Sequence, residues 1–134
     1  MFGKNAKVEL LRRVPLFAEC SRRELATVAQ VSNEMRFPAG HMLIKEGRPG
    51  REFFVIAEGT VEVRRGGRKL PQRGDSNSYG EMALLGTKPR NATVTTTSPV
   101  RALVIKGSSF RQLLVDVPSL APKILASLAD RLEE

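Results

Sequence analysis

The spacing of apolar residues along this chain changes period twice, and the changes divide it into three zones. Val8, Leu10, Leu11, Val14, Leu16 and Phe17 make a short amphipathic piece broken at Pro15. Ser21-Arg22-Arg23-Glu24 has the spacing of a capping box, and Leu25, Val28 and Ala29 follow at helical intervals. From about Asn33 the signals turn to strands. Phe53-Phe54-Val55-Ile56 is an unbroken apolar run of buried-strand type, and Thr60-Val61-Glu62-Val63 alternates with period two. Ala92 to Thr97 and Val100 to Ile105 supply two more strands, parted by Ser98-Pro99. Pro38-Ala39-Gly40, Gly47-Arg48-Pro49-Gly50 and Gly74-Asp75 are turns, Gly66-Gly67 is a hairpin tip, and His41 starts a strand. After Gly107 the helical period returns with Phe110, Leu113, Leu114 and Val117, and Pro118 stops it. Ser119 then caps a last helix with Ile124, Leu125, Leu128 and Leu132 on one stripe.

Short, evenly spaced strands closed by helices predict a mainly β protein with flanking helices, a small antiparallel β-roll of jelly-roll type. The expected organisation is a single domain over 1–134, with a helical segment at 1–32, the roll at 33–105 and C-terminal helices at 106–134. There is no internal repeat, low-complexity tract, linker or helix-turn-helix pattern.

Composition narrows the functional classes. With 41% hydrophobic residues, six Phe, one Tyr and no Trp, the core must be chiefly aliphatic. No apolar run approaches the roughly 20 residues of a membrane span, and Met1 to Lys7 lacks a signal-peptide stretch. A single Cys20 suits a reducing compartment, so a cytoplasmic location is expected. The net charge of +8 is spread along the chain without a basic block. It fits a solvated surface that helps to capture an anion, or a basic face for a partner. His41 is the only histidine and Cys20 the only thiol, so one chain cannot form a metal cluster or a Cys-His pair. With no Gly-x-Ser-x-Gly elbow and no phosphate-binding P-loop pattern, the expectation is no enzyme, no metal and no cofactor.

The most informative stretch runs from Gly80 to Val94: Gly-Glu-Met-Ala-Leu-Leu-Gly-Thr-Lys-Pro-Arg-Asn-Ala-Thr-Val. Gly80 lets backbone approach a ligand without a Cβ in the way. Met82 to Leu85 favour a short helix, whose N-terminal N–H groups suit an anion. Arg90 can give a phosphate two parallel charge-assisted hydrogen bonds, and Glu81 can accept from a pair of sugar hydroxyls. At the surface Arg90 could instead pair with Glu81 or Glu58.

In order and without a gap, this stretch resembles the phosphate-binding cassette of the cyclic nucleotide-binding domain. The family pattern is Gly-Glu, a hydrophobic residue, Ala or Gly, two hydrophobics, a short turn, then Arg, a small residue, Ala and Thr or Ser. The resemblance extends from about Leu10 to Leu132. It implies an eight-stranded roll with an N-terminal helix, a cassette helix and two C-terminal helices. It implies a cyclic nucleotide ligand, cyclic AMP ahead of cyclic GMP on family frequency. It assigns the phosphate to Arg90 with backbone N–H groups of Ala83, Leu84, Asn91 and Ala92, and the ribose 2′-hydroxyl to Glu81 beside Gly80. Val61, Val63 and Leu70 are the positions that face the base in the family, and as readily plain roll core. The last helix either closes over the base through Leu125, Leu128 or Leu132 with Arg131 as a polar cap, or serves as simple packing or a dimer seam. Asn91 departs from the usual Ala, Ser or Thr; it offers both a donor and an acceptor, which leaves base choice open.

The function implied is that of a regulatory sensor. Phosphate capture draws the cassette inward, moves Leu84 and Leu85, and lets the helices from Phe110 to Leu132 swing over the base. An effector protein or fused effector domain would receive the signal, from a monomer or weak dimer. A different class stays open: a roll of the same fold that docks a protein or nucleic acid and binds no nucleotide.

Overall fold

The computed structural model describes residues 3–71, 78–80 and 90–132, with the side chains at 128 and 130–132 outside the description. Helix α1 (Lys4–Arg12) leads through a 3-10 turn (Pro15–Phe17) into α2 (Arg22–Gln30). Eight strands follow: β1 (Ser32–Phe37), β2 (Met42–Ile44), β3 (Glu52–Glu58), β4 (Val61–Arg65), β5 (Arg68–Leu70), β6 (Ser78–Tyr79), β7 (Thr93–Thr96) and β8 (Val100–Lys106). Helices α3 (Gly107–Asp116) and α4 (Leu120–Leu132) complete the described elements. The strands form two four-stranded sheets, β1-β8-β3-β6 and β2-β7-β4-β5, with antiparallel pairing throughout. This is the antiparallel roll with flanking helices that the sequence predicts.

Successive side chains on a strand point to opposite faces, and that explains which strands read as continuous apolar runs. On β3, Phe53 and Val55 join the helical layer while Phe54 and Ile56 face the interior of the roll. On β8, Leu103 and Ile105 go to the helices; Val100, Ala102 and Val104 go to the interior. The two central strands of the first sheet, β3 and β8, are thus buried on both faces, as their unbroken apolar runs require. In the second sheet β7 alternates between buried and partly exposed positions, while β4 runs from buried Val61 to exposed Arg64 and Arg65.

The helical layer is one cluster with Phe17 at its centre, packed on Phe53 edge to face and on Phe110, with ring centroids 6.3 and 5.9 Å apart. Helix α2 begins with the full capping box: the Glu24 N–H donates to the Ser21 hydroxyl and the Ser21 N–H to the Glu24 carboxylate. That carboxylate is buried and also accepts from the Ser119 hydroxyl and the Lys123 ammonium, which ties α2 to the start of α4. The final stripe differs from the expected one. Helix α4 buries Leu120, Ile124 and Ser127, whereas Leu125 is 64% exposed. One residue turns a helix by about 100°, so Leu125 cannot share the face of Ile124. No described helix is long and apolar enough to cross a membrane.

Candidate functional site

Arg90 stands just before β7, and its backbone is strapped to the loop after β2. Its N–H donates to the Arg48 carbonyl and its own carbonyl accepts from the Gly47 N–H, both at 2.8 Å. These two bonds fix where the side chain starts. The guanidinium then crosses to the first residue of β3, where Nη2 donates to the backbone carbonyl of Glu52. Nη1 is buried and has no hydrogen-bond partner among the described residues. A buried donor left unmatched costs about 1–3 kcal/mol, so the arrangement favours arrival of an acceptor. Burial pulls the guanidinium pKa below its ordinary value, and the nearby Glu52 carboxylate opposes that shift.

Two glycines make room for this side chain. A Cβ at Gly50 would lie 1.9 Å from Arg90 Nε and 2.3 Å from Cζ. A Cβ at Gly80 would lie 2.4 Å from Nη1 and 2.8 Å from the Glu52 carbonyl oxygen, and the φ of +89° there already disfavours any side chain. The guanidinium therefore lies between two bare backbone segments, one before β3 and one directly after β6.

An apolar row runs across the second sheet toward this point. Leu70 pairs with Val63, Val63 with Val94, and Val94 with Ile44, so one residue from each of β5, β4, β7 and β2 falls in register. Ile44 ends the row beside Gly80, its Cδ1 3.1 Å from where a Cβ there would sit. Val61 lies two residues before Val63 on β4 and is buried in the interior cluster. The three base-slot candidates are thereby placed on one face, in line with the Arg90 seat.

The β4–β5 hairpin is held to the same region. Gly66 and Gly67 both have positive φ, +59° and +79°, as a two-residue hairpin turn of the primed type needs. The Gly66 N–H donates to the Glu46 carboxylate and Arg65 Nε to the Asn91 carbonyl, both at 2.9 Å. Asn91 is exposed and Ala92 is buried. Glu81, Ala83, Leu84 and Leu85 lie outside the described residues, as do the side chains of Leu128 and Arg131. Arg90 does not pair with Glu58: strand register sets Glu58 opposite Arg101, and the two meet at 3.1 Å. The sequence gives no hint of Gly50 as a support for Arg90, or of the Glu52 carbonyl as its anchor. Gly47 to Gly50 is legible only as a turn, because the need for a bare backbone arises from a residue 40 positions away.

Cys20 is not activated. Burial, with the Glu24 charge beside it, pushes its thiol up to about 11. No group of three or more His, Cys, Asp or Glu that could hold a metal occurs among the described residues.

The family described as the cyclic nucleotide-binding domain matches residues 34–116. A CRP-like cAMP-activated global transcriptional regulator of Mycobacterium tuberculosis is 30% identical over 132 residues, which is 92% of this chain and 58% of the regulator. A cAMP-dependent protein kinase regulatory subunit of Emericella nidulans is 35% identical over 114 residues, 82% of this chain and 27% of the subunit. The chain thus spans less than two thirds of the length of either relative. Among solved structures, the N-terminal domain of a transcriptional regulator from Streptomyces coelicolor superposes with a TM-score of 0.82 at 31% identity. The superposition covers 92% of this chain and 90% of that domain.

Proposed function

The chain belongs to the cyclic nucleotide-binding domain family, and from that premise we propose that it is a regulatory module whose ligand is a 3′,5′-cyclic nucleotide, cyclic AMP in preference to cyclic GMP. Its work is binding and switching, without chemistry on the ligand. The carrying observation is Arg90: a guanidinium seated between two glycines, with one buried donor unmatched. A cyclic phosphodiester supplies a single negative charge and acceptor oxygens for that fork. Backbone N–H groups of Ala83, Leu84, Asn91 and Ala92 share the phosphate, and Glu81 beside Gly80 takes the ribose hydroxyls. The base lies along Val61, Val63 and Leu70, with Leu128 and Arg131 closing over it. The relatives named for cAMP support cyclic AMP as the first choice. Ligand capture moves α3 and α4, and an effector protein or fused effector domain reads the movement.

Calorimetry with cyclic AMP tests the reading. Arg90→Ala is expected to weaken binding tenfold or more, since each charge-assisted bond is worth about 1.5–3 kcal/mol. Arg90→Lys is expected to be nearly as damaging, because an ammonium lacks the fork. Unchanged affinity in both variants removes Arg90 from the site. Thermal shifts with cyclic AMP, cyclic GMP and AMP settle the ligand class. A saturable rise in Tm with the cyclic forms alone fits. No rise with any of them, together with salt-sensitive DNA binding, would favour a docking module.

A further inference from the structure

The β4–β5 hairpin reaches farther than its strand pairing requires. The ladder between β4 and β7 ends at Arg64 opposite Thr93. Beyond it, Arg65 Nε donates to the Asn91 carbonyl and the Gly66 N–H to the Glu46 carboxylate, both at 2.9 Å. The Glu46 N–H in turn donates to the Thr93 hydroxyl at 3.0 Å. Sheet order puts β7 between β2 and β4, and Glu46 follows β2 while Arg65 ends β4. The hairpin tip is therefore fastened on both sides of the chain that enters β7, which runs from Arg90 through Asn91 and Ala92.

Two observations give this fastening a purpose. Side chains two apart on a strand share a face, so Arg65 continues the row of Val61, buried in the roll interior, and Val63, packed against it. Arg64 lies on the opposite face, where it meets Glu62. The second observation concerns peptide planes. The carbonyl and the following N–H of a trans peptide lie in one plane and point opposite ways. The Gly47 N–H holds the Arg90 carbonyl and so aims the Asn91 N–H. Arg65 holds the Asn91 carbonyl and so aims the Ala92 N–H. A cation on a carbonyl also polarises its peptide, which strengthens the N–H as a donor. Both hairpin bonds are exposed, and exposed contacts add little to global stability, so their worth lies in geometry.

We propose that Arg65 is a positioning residue of the ligand site: with Glu46 it clasps the hairpin over the start of β7 and sets the Asn91–Ala92 peptide for the phosphate of the ligand. The inference rests on the cyclic nucleotide reading of that site and adds to it a residue that acts through backbone rather than on the ligand. The same clasp joins the wall that carries the Val63–Leu70 pair to the backbone that carries the phosphate donors, which holds base slot and phosphate seat at a fixed separation.

The test is calorimetry of the intact chain with cyclic AMP and cyclic GMP, together with amide NMR spectra of the ligand-free protein. Wild type is compared with Arg65→Ala, Arg65→Lys and Arg68→Ala, each first shown to keep the wild-type melting transition. Arg68→Ala removes the same charge from the position opposite Arg65 in the hairpin. Arg65→Ala is expected to weaken binding about tenfold, in keeping with a lost charge-assisted bond, and to shift the Ala92 amide resonance of the free protein. Arg65→Lys keeps a cationic donor and is expected to recover most of both. Unchanged affinity in Arg65→Ala overturns the proposal. So does equal weakening in Arg68→Ala, which means diffuse attraction, or weakened binding with an unmoved Ala92 resonance, which puts Arg65 on the ligand itself. A wild type that binds neither cyclic nucleotide overturns the reading of the site and this proposal with it; failure of the clasp alone shows only in the variants.

Discussion

At the scale of single residues, the site turns on what Arg90 can do that the surface arginines cannot. Its main chain is fixed by reciprocal bonds to Gly47 and Arg48, and its guanidinium is anchored at one end only. The other end waits, buried and unmatched among the described residues. Gly50 offers a sharper probe of this seat than Arg90 itself. Its φ lies outside the left-handed range, so alanine brings no backbone strain, and the new methyl group meets only the Arg90 side chain among its nearest neighbours. Gly50→Ala is therefore expected to displace the guanidinium, weakening cyclic AMP binding about tenfold while Tm changes little. Parallel calorimetry and thermal melts check this; intact affinity would show that the seat is dispensable. Gly80→Ala should cost stability as well, about 1–2 kcal/mol, because φ there is +89° and the Glu52 carbonyl stands in the way.

At the scale of elements, the capping box of α2 does more than start a helix. Lys123 first, then Ser119, hold the Glu24 carboxyl down to about 2, against a burial effect that raises it, with Ser21 adding to the lowering. Unfolding returns this group to the ordinary value of 4.5. Between those two values the unfolded chain binds the extra proton, so stability falls as pH drops through that window and is fully present above it. Glu24→Gln should flatten this part of the pH dependence and lower stability at neutral pH by about 2 kcal/mol, in keeping with loss of charge-assisted bonds. Urea midpoints measured from pH 2 to 6 check it, and a slope unchanged by the variant would dismiss Glu24 as its source. The box itself is legible in Ser21-Arg22-Arg23-Glu24. Its second use is not, because Ser119 and Lys123 are about a hundred positions away and no local pattern links them. The long strands are legible for a comparable reason: β3 and β8 run apolar on both faces. β6, with two residues, is too short to carry any period.

At the scale of the whole molecule, two layers share the first sheet. Its inner face closes the roll that leads to Arg90, and its outer face carries the helical layer with Phe17, Phe110, Leu120 and Ile124. Packed interiors transmit displacement because they have few voids. A ligand that binds one arrangement better can thereby shift the helices, by no more than its differential affinity allows. Hydrogen exchange should report this: cyclic AMP is expected to change protection in α3 and α4 as well as around β7. Protection confined to β7 and its neighbours would show a binding domain without helix coupling.

The amino-acid order alone determined the roll with its flanking helices, the hairpin at Gly66-Gly67 and the identity of Arg90 as the residue to watch. These depend on local period, on glycine's tolerance of positive φ and on a contiguous motif, all of which are short-range. Tertiary structure alone decided that Gly50 and the Glu52 carbonyl hold the guanidinium, that Leu125 faces outward, that Glu58 goes to Arg101, and that Arg65 and Glu46 fasten the hairpin over the start of β7. Each of those outcomes depends on strand register and layer packing, which bring together backbone and charges that the chain order keeps far apart.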